Sequence, residues 1–124
     1  MARDGGRAGL NPAAPPAGTV LCRLEALGDP AARGFRFRDG DALFAGFVLK
    51  ADGQVRGFVD SCPHSGWPLA VTDDRYLTRE KDRLLCSGHG ALFGLDGVCV
   101  AGPCVGRSLE PWPVEVRDGE VVVA

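Results

Sequence analysis

The 124 residues contain two histidines, and each follows a cysteine at close range: Cys62-Pro63-His64-Ser65-Gly66 and Cys86-Ser87-Gly88-His89-Gly90. Two thiolates and two imidazoles are thus divided evenly between two short glycine-bearing segments, separated by 21 residues. Such close spacing lets one loop give sulfur to one metal atom and nitrogen to a second without straining its backbone. Gly66, Gly88 and Gly90 lack a Cβ, so the chain can bend tightly there and bring amide groups near inorganic sulfide. This donor set suits a 2Fe–2S centre of mixed ligation, in which one iron takes sulfur and the other nitrogen. Amide donors to the sulfides favour the reduced, more negative centre and so raise its potential. The chemistry expected is one-electron transfer.

Plainer readings compete with this one. A structural zinc module uses two cysteines and two histidines as well, but zinc fingers usually pair Cys with Cys and His with His on separate elements. Here each segment carries one of each. A catalytic Cys–His pair needs a single nucleophile and a single base, and the duplicated frames do not fit that need. Isolated structural histidines would not both trail cysteines.

The chain is long enough for one domain with a modest core. Its 45% hydrophobic and 24% charged residues are ordinary for a globular protein. Eighteen glycines and nine prolines imply many turns and few long helices. A net charge of −2 gives no electrostatic case for nucleic acid. The charges from Asp73 to Arg83 mix both signs and read as a solvated loop. No apolar run approaches the ~20 residues that span a bilayer, so no membrane association is expected. Arg3 and Arg7 are followed by no apolar signal core, and a cytoplasmic location is expected. Five cysteines, an odd number, argue against a complete disulfide framework.

The elements that must position the two frames are short strands. Residues 1–18, rich in Pro, Ala and Gly, read as a flexible tail. Residues 19–24 have strand content, and Gly34-Phe35-Arg36-Phe37-Arg38 alternates apolar and basic, as a half-buried strand does. The clearest hairpin runs over 45–50 and 54–59 around Asp52-Gly53, a strong turn pair. It leads straight into Cys62. Further strands are expected at 69–71, 76–78, 83–85, 91–93, 98–100, 114–116 and 121–123, with turns at Asp96-Gly97 and Asp118-Gly119. No helix of three turns and no internal repeat is apparent. The expected fold class is all-β, a small antiparallel sandwich or barrel with both frames in loops at strand ends.

The two frames, in this order on a β-rich background, resemble the Rieske-type 2Fe–2S proteins, in their soluble ferredoxin-like branch, over about residues 19–123. The resemblance implies that Cys62 and Cys86 hold the inner iron of one 2Fe–2S cluster while His64 and His89 hold the outer iron near solvent. It implies an antiparallel β base with an inserted cluster-binding subdomain over about 60–95. Gly102-Pro103-Cys104 resembles the family's third loop, which lies over the cluster. By the same resemblance the chain is a one-electron carrier of the ferredoxin kind between a reductase and a partner such as a ring-hydroxylating oxygenase. By itself it would not be an enzyme. The alternatives are a small Rieske subunit of a larger reductase, like that of nitrite reductase, and the zinc module.

Departures from the family's high-potential branch are informative. Where those members carry disulfide-forming cysteines in the ligand loops, this chain has Trp67 and Gly88. Where they carry a serine and a tyrosine that donate to cluster or ligand sulfur, it has Ala91 and Phe93. Loss of two hydroxyl donors removes stabilisation of the extra electron, so the potential is expected toward the lower end of the about −150 to +300 mV Rieske range. Exposed imidazole ligands would couple electron uptake to proton uptake at alkaline pH. Cys99 and Cys104 read as buried thiols in preference to a small disulfide, Cys22 as a strand residue without chemical role, and Trp112 as packing for the base.

Overall fold

The computed structural model describes residues 11–63, 66, 68–70, 74–87 and 90–124. Its strands are β1 (Val20–Arg23), β2 (Ala31–Asp39), β3 (Ala42–Ala51), β4 (Gln54–Val59), β5 (Leu84–Leu85), β6 (Leu92–Phe93), β7 (Cys99–Ala101), β8 (Val114–Arg117) and β9 (Glu120–Val123). Among the described residues a single 3-10 turn, Leu24–Ala26, accompanies them. Among the described residues no helix is long and apolar enough to cross a membrane. The strands form three antiparallel sheets, ordered β1-β9-β8, β2-β3-β4 and β5-β6-β7. The all-β reading is borne out.

Sequence chemistry explains the connections. Asp52 and Gly53 have φ of 52° and 75°, so both central residues of the β3–β4 turn are left-handed. That geometry matches the right-handed twist of the flanking strands and is tolerated by an Asp-Gly pair. The Asp29 carboxylate accepts from both turn amides, at 2.9 and 2.8 Å, and fixes the hairpin end. Asp118 and Gly119 repeat the device, with φ of 54° and 78°, between β8 and β9.

Strand β3 separates two cores. Its side chains alternate faces, as strand geometry requires. Phe47 and Leu49 enter a core with Phe58, Leu69, Tyr76, Leu84, Phe93 and the thiols of Cys62, Cys86, Cys99 and Cys104. Phe44 and Val48 enter the other, with Trp112, Val121, Val123 and Cys22. The Trp112 ring meets Phe35, Phe37 and Phe44 edge-on at 6.4, 6.5 and 5.1 Å. A Cβ on Gly46 would stand 2.5 Å from that ring, so the glycine is the slot into which the indole fits. Trp112 packs under the base, as expected.

Three expectations need correction. The strand expected at 69–71 is absent at Leu69 and Ala70, and the Leu69 backbone bonds Asp60 and Ser87 instead; Val71 lies outside the described residues. Over 76–78 there is an isolated bridge of Leu77 to Leu84 and no longer ladder. Of the segment expected as a tail, residues 11–18 lie against the base. Asn11 Nδ2 donates to the Leu43 carbonyl at 3.0 Å, the Asn11 side-chain oxygen accepts from the Ala13 amide at 2.8 Å, and Ala13 is buried.

Candidate metal centre

Each cysteine frame begins where a strand ends. The first follows β4 and the second follows β5. Both frames close in the same way: the Gly66 amide donates to the Cys62 carbonyl at 2.7 Å, and the Gly90 amide to the Cys86 carbonyl at 2.8 Å. Gly66 and Gly90 have φ of 77° and 74°, where a side chain would be strained. The result is a pair of matching five-residue turns with a buried thiol at the head of each. Cys62 is 1% exposed and Cys86 0%.

Leu69 joins the two turns. Its carbonyl accepts from the Ser87 amide at 2.9 Å, while its own amide donates to the Asp60 carboxylate at 2.8 Å. The second carboxylate oxygen of Asp60 accepts from the Tyr76 hydroxyl at 2.9 Å. Tyr76 in turn stacks on Phe47, with ring centroids 4.2 Å apart and planes at 16°. Gly34 makes room for it: a Cβ there would stand 2.4 Å from the hydroxyl. A chain of contacts therefore runs from the base sheet through Tyr76, Asp60 and Leu69 to both ligand turns. The sequence reading passed over Asp60 and Leu69. A lone carboxylate two residues before Cys62 was the one available signal.

Burial pushes the Asp60 carboxyl above its ordinary range; the Leu69 amide, the Tyr76 hydroxyl and the positive charge of Arg36 pull it partly back. Tyr76 is also raised, first by burial and then by the charge and hydrogen bond of Asp60.

The third loop closes the arrangement. Arg107 Nη1 donates to the carbonyl of Pro63, inside the first frame, at 3.1 Å. Gly102, with φ of 98°, lies so close to Ala91 that a Cβ would come within 2.8 Å of its Cα. Cys104 Sγ approaches Cys99 Sγ at 2.9 Å. Burial, then the hydrogen bond and charge of Cys99 and those of Cys62, push the Cys104 thiol up to about 12. All five cysteines are buried and none is in a disulfide, so the reading of Cys99 and Cys104 as thiols agrees with the structure. Cys22 sits in β1, its thiol raised by burial against the opposing charge of Arg33.

His64 and His89 lie outside the described residues, as do Ser65, Trp67 and Gly88. The described part of the site supplies Cys62 and Cys86 on two turns linked through Leu69 and Asp60, and among the described residues no group of three or more His, Cys, Asp or Glu side chains gathers as a metal site. Two dry thiols held on neighbouring loops are the donor set that a sulfur-ligated iron requires.

No curated protein matches the chain. Solved structures do. A chain from the complex of reduced oxygenase and oxidized ferredoxin in carbazole 1,9a-dioxygenase is 27% identical, with a TM-score of 0.63 over 85% of this chain and 99% of that one. The ferredoxin of carbazole 1,9a-dioxygenase from Nocardioides aromaticivorans IC177 is 23% identical, with a TM-score of 0.62 over 86% and 97% of the two chains. A quaternary ammonium Rieske monooxygenase shares the fold at 20% identity and a TM-score of 0.64, but only 30% of that chain is covered. The family model described as the Rieske [2Fe-2S] domain matches residues 20–118. With that match over most of its length, the chain belongs to the Rieske [2Fe–2S] domain family and carries one such cluster.

Proposed function

We propose that this protein is a ferredoxin-like carrier that passes single electrons to a partner oxygenase of the ring-hydroxylating kind, with a reductase as its donor. The observation that supports this reading is the extent of the structural likeness. The chain aligns over 99% of a chain from an oxygenase–ferredoxin complex, yet over 30% of a Rieske monooxygenase. An electron carrier of this size needs to hold and present one redox centre and nothing more.

In this reading Cys62 and Cys86 hold the iron on the buried side and His64 and His89 hold the outer one. A Rieske centre stores one electron per cluster when bound. The chain's own residues do the rest. The paired turns at Gly66 and Gly90 fix both cysteines in a buried core. Asp60 and Leu69 keep the two turns in register, and Arg107 ties the third loop to Pro63. A cluster-binding subdomain over about 60–95, set on a base formed by the remaining strands, and a cytoplasmic location belong to the same proposal. The docking edge is the side carrying His64 and His89, since transfer by tunnelling demands a short path; such contacts are usually small and transient.

The test is stoichiometric. Protein reduced with dithionite and freed of excess reductant is mixed anaerobically with the terminal oxygenase component of its own host. The carrier reading expects one electron per chain to reach the oxygenase's cluster within the mixing experiment. Co-purification as a fixed subunit of a larger reductase, with no transfer to a free oxygenase, would favour the small-subunit alternative.

A further inference from the structure

Cys99 and Cys104 lie beside the proposed ligands but outside the ligand set. Cys99 opens β7, Cys104 follows in the third loop, and each is 2% exposed. Their sulfurs face one another at 2.9 Å, less than 1 Å more than a disulfide bond of about 2.05 Å requires. The Cys104 thiol donates to Cys99 Sγ, and the Cys99 thiol donates to the Ala101 carbonyl at 3.3 Å. Cys99 and Cys104 share one buried cluster with Cys62 and Cys86. We propose that Cys99 and Cys104 are a dithiol–disulfide couple, a modification site on the sulfur-ligated side of the cluster whose state resets the cluster's potential.

The inference rests on the reading of Cys62 as a cluster ligand. Buried thiols need a way to be reached, and the loop provides one. Gly102 and Gly106, with φ of 98° and 91°, bracket Cys104. Between them Pro103 and Val105 are exposed, Val105 by 62%. Cys104 is therefore flanked on both sides by solvent-exposed residues, the side from which a small oxidant would approach. Where disulfides occur in a reducing compartment they are mostly redox-sensing or catalytic, which is the role assigned here.

The oxidant is a low-molecular-weight disulfide such as glutathione disulfide. One cysteine sulfur attacks it, forming a mixed disulfide and releasing one glutathione as the thiol. The other cysteine then displaces the second glutathione, and both cysteine protons leave on the two glutathione thiols. The sulfur–sulfur bond of the oxidant is exchanged for the Cys99–Cys104 bond. As thiols, Cys99 and Cys104 place S–H dipoles in the buried core that holds Cys62 and Cys86; as a cystine they have none. Loss of a donor near a ligand sulfur disfavours the added electron, so the disulfide form has the lower potential.

The experiment uses holoprotein equilibrated anaerobically in glutathione buffers from fully reduced to mostly disulfide, alkylated under denaturing conditions and mapped by mass spectrometry. The expected result is a Cys99–Cys104 cystine, lighter by two hydrogens, that grows with the disulfide fraction while Cys62 and Cys86 are alkylated. Dye-mediated titration of the same samples should show a lower potential in the oxidised buffer, read as a several-fold smaller reduced fraction at a fixed applied potential. Cys99→Ala and Cys104→Ala, which cannot form the cystine, should each hold one value in both buffers. Absence of the cystine at every ratio, with the cluster's electron paramagnetic resonance intact, overturns the proposal. So does a cystine that leaves the potential unchanged. A wild-type protein without any cluster signal would overturn the ligand assignment itself, and this inference with it.

Discussion

The carboxylate of Asp60 accepts a hydrogen bond from the amide of Leu69, 2.8 Å away, across the loop that contains Cys62 and His64. Asp60 is 6% exposed, and its other oxygen holds the Tyr76 hydroxyl. Both partners are themselves tied in, Tyr76 to Phe47 by stacking and Leu69 to Ser87 through its carbonyl. Asp60→Ala would leave the Leu69 amide and the Tyr76 hydroxyl buried without a partner, at a cost of about 1–3 kcal/mol each. The first ligand loop would loosen before the base sheet does. Chemical denaturation should show the loss of stability, and iron release to a chelator should be faster than in wild type. Asp60→Asn keeps an acceptor for Leu69 and should lie between the two.

The same residue sets a pH dependence. Burial raises the folded-state value of Asp60 above that of the unfolded chain, so the folded protein takes up this proton first as pH falls. Its contribution to stability is therefore complete below the ordinary carboxylate range and is lost as pH rises through the raised value. Relative to Asp60→Asn, wild type should gain stability between neutral pH and mildly acid pH. Denaturation midpoints of both proteins across that window, compared at each pH, check the sign. A wild type that loses ground to the variant on acidification would mean that the hydrogen bonds outweigh desolvation.

Ala91 and Phe93 are fully buried on the second ligand loop and its following strand, and neither offers a hydroxyl to the cluster sulfurs. A single hydrogen bond worth about 1 kcal/mol more to the reduced state moves a one-electron potential by about 40 mV, since about 59 mV corresponds to a tenfold change in the equilibrium constant. Ala91→Ser and Phe93→Tyr should each raise the potential by that order, and the wild-type value should lie in the lower part of the Rieske range. Protein-film voltammetry on the three proteins gives the comparison. Ala91 is crowded by Gly102, so the serine variant must also be shown to keep its full cluster content.

Legibility in the sequence followed the range of the interaction. Alternation and Asp-Gly pairs are local signals, and they marked the β3–β4 and β8–β9 hairpins. The two frames were legible because ligand spacing is also local. Leu69 and Ala70 misled because β-rich composition looks the same whether an amide bonds a neighbouring strand or a carboxylate nine residues away. The partnership of Asp60 with Tyr76 and the Gly46 slot for Trp112 join distant segments, and no local pattern announces either. Residues 11–18 lack large apolar side chains and so read as a tail, yet Ala13 is small enough to enter the base core without one.

The central claim is that nitrogen from His64 and His89 meets one iron while Cys62 and Cys86 hold the other. Pulsed electron paramagnetic resonance on dithionite-reduced protein grown with nitrogen-15 histidine tests it most directly. The account predicts two histidine nitrogens coupled to the reduced cluster, with the coupling and the iron lost when both histidines are replaced by alanine. A reduced cluster with no histidine nitrogen coupling, or full iron content in the double variant, would contradict it.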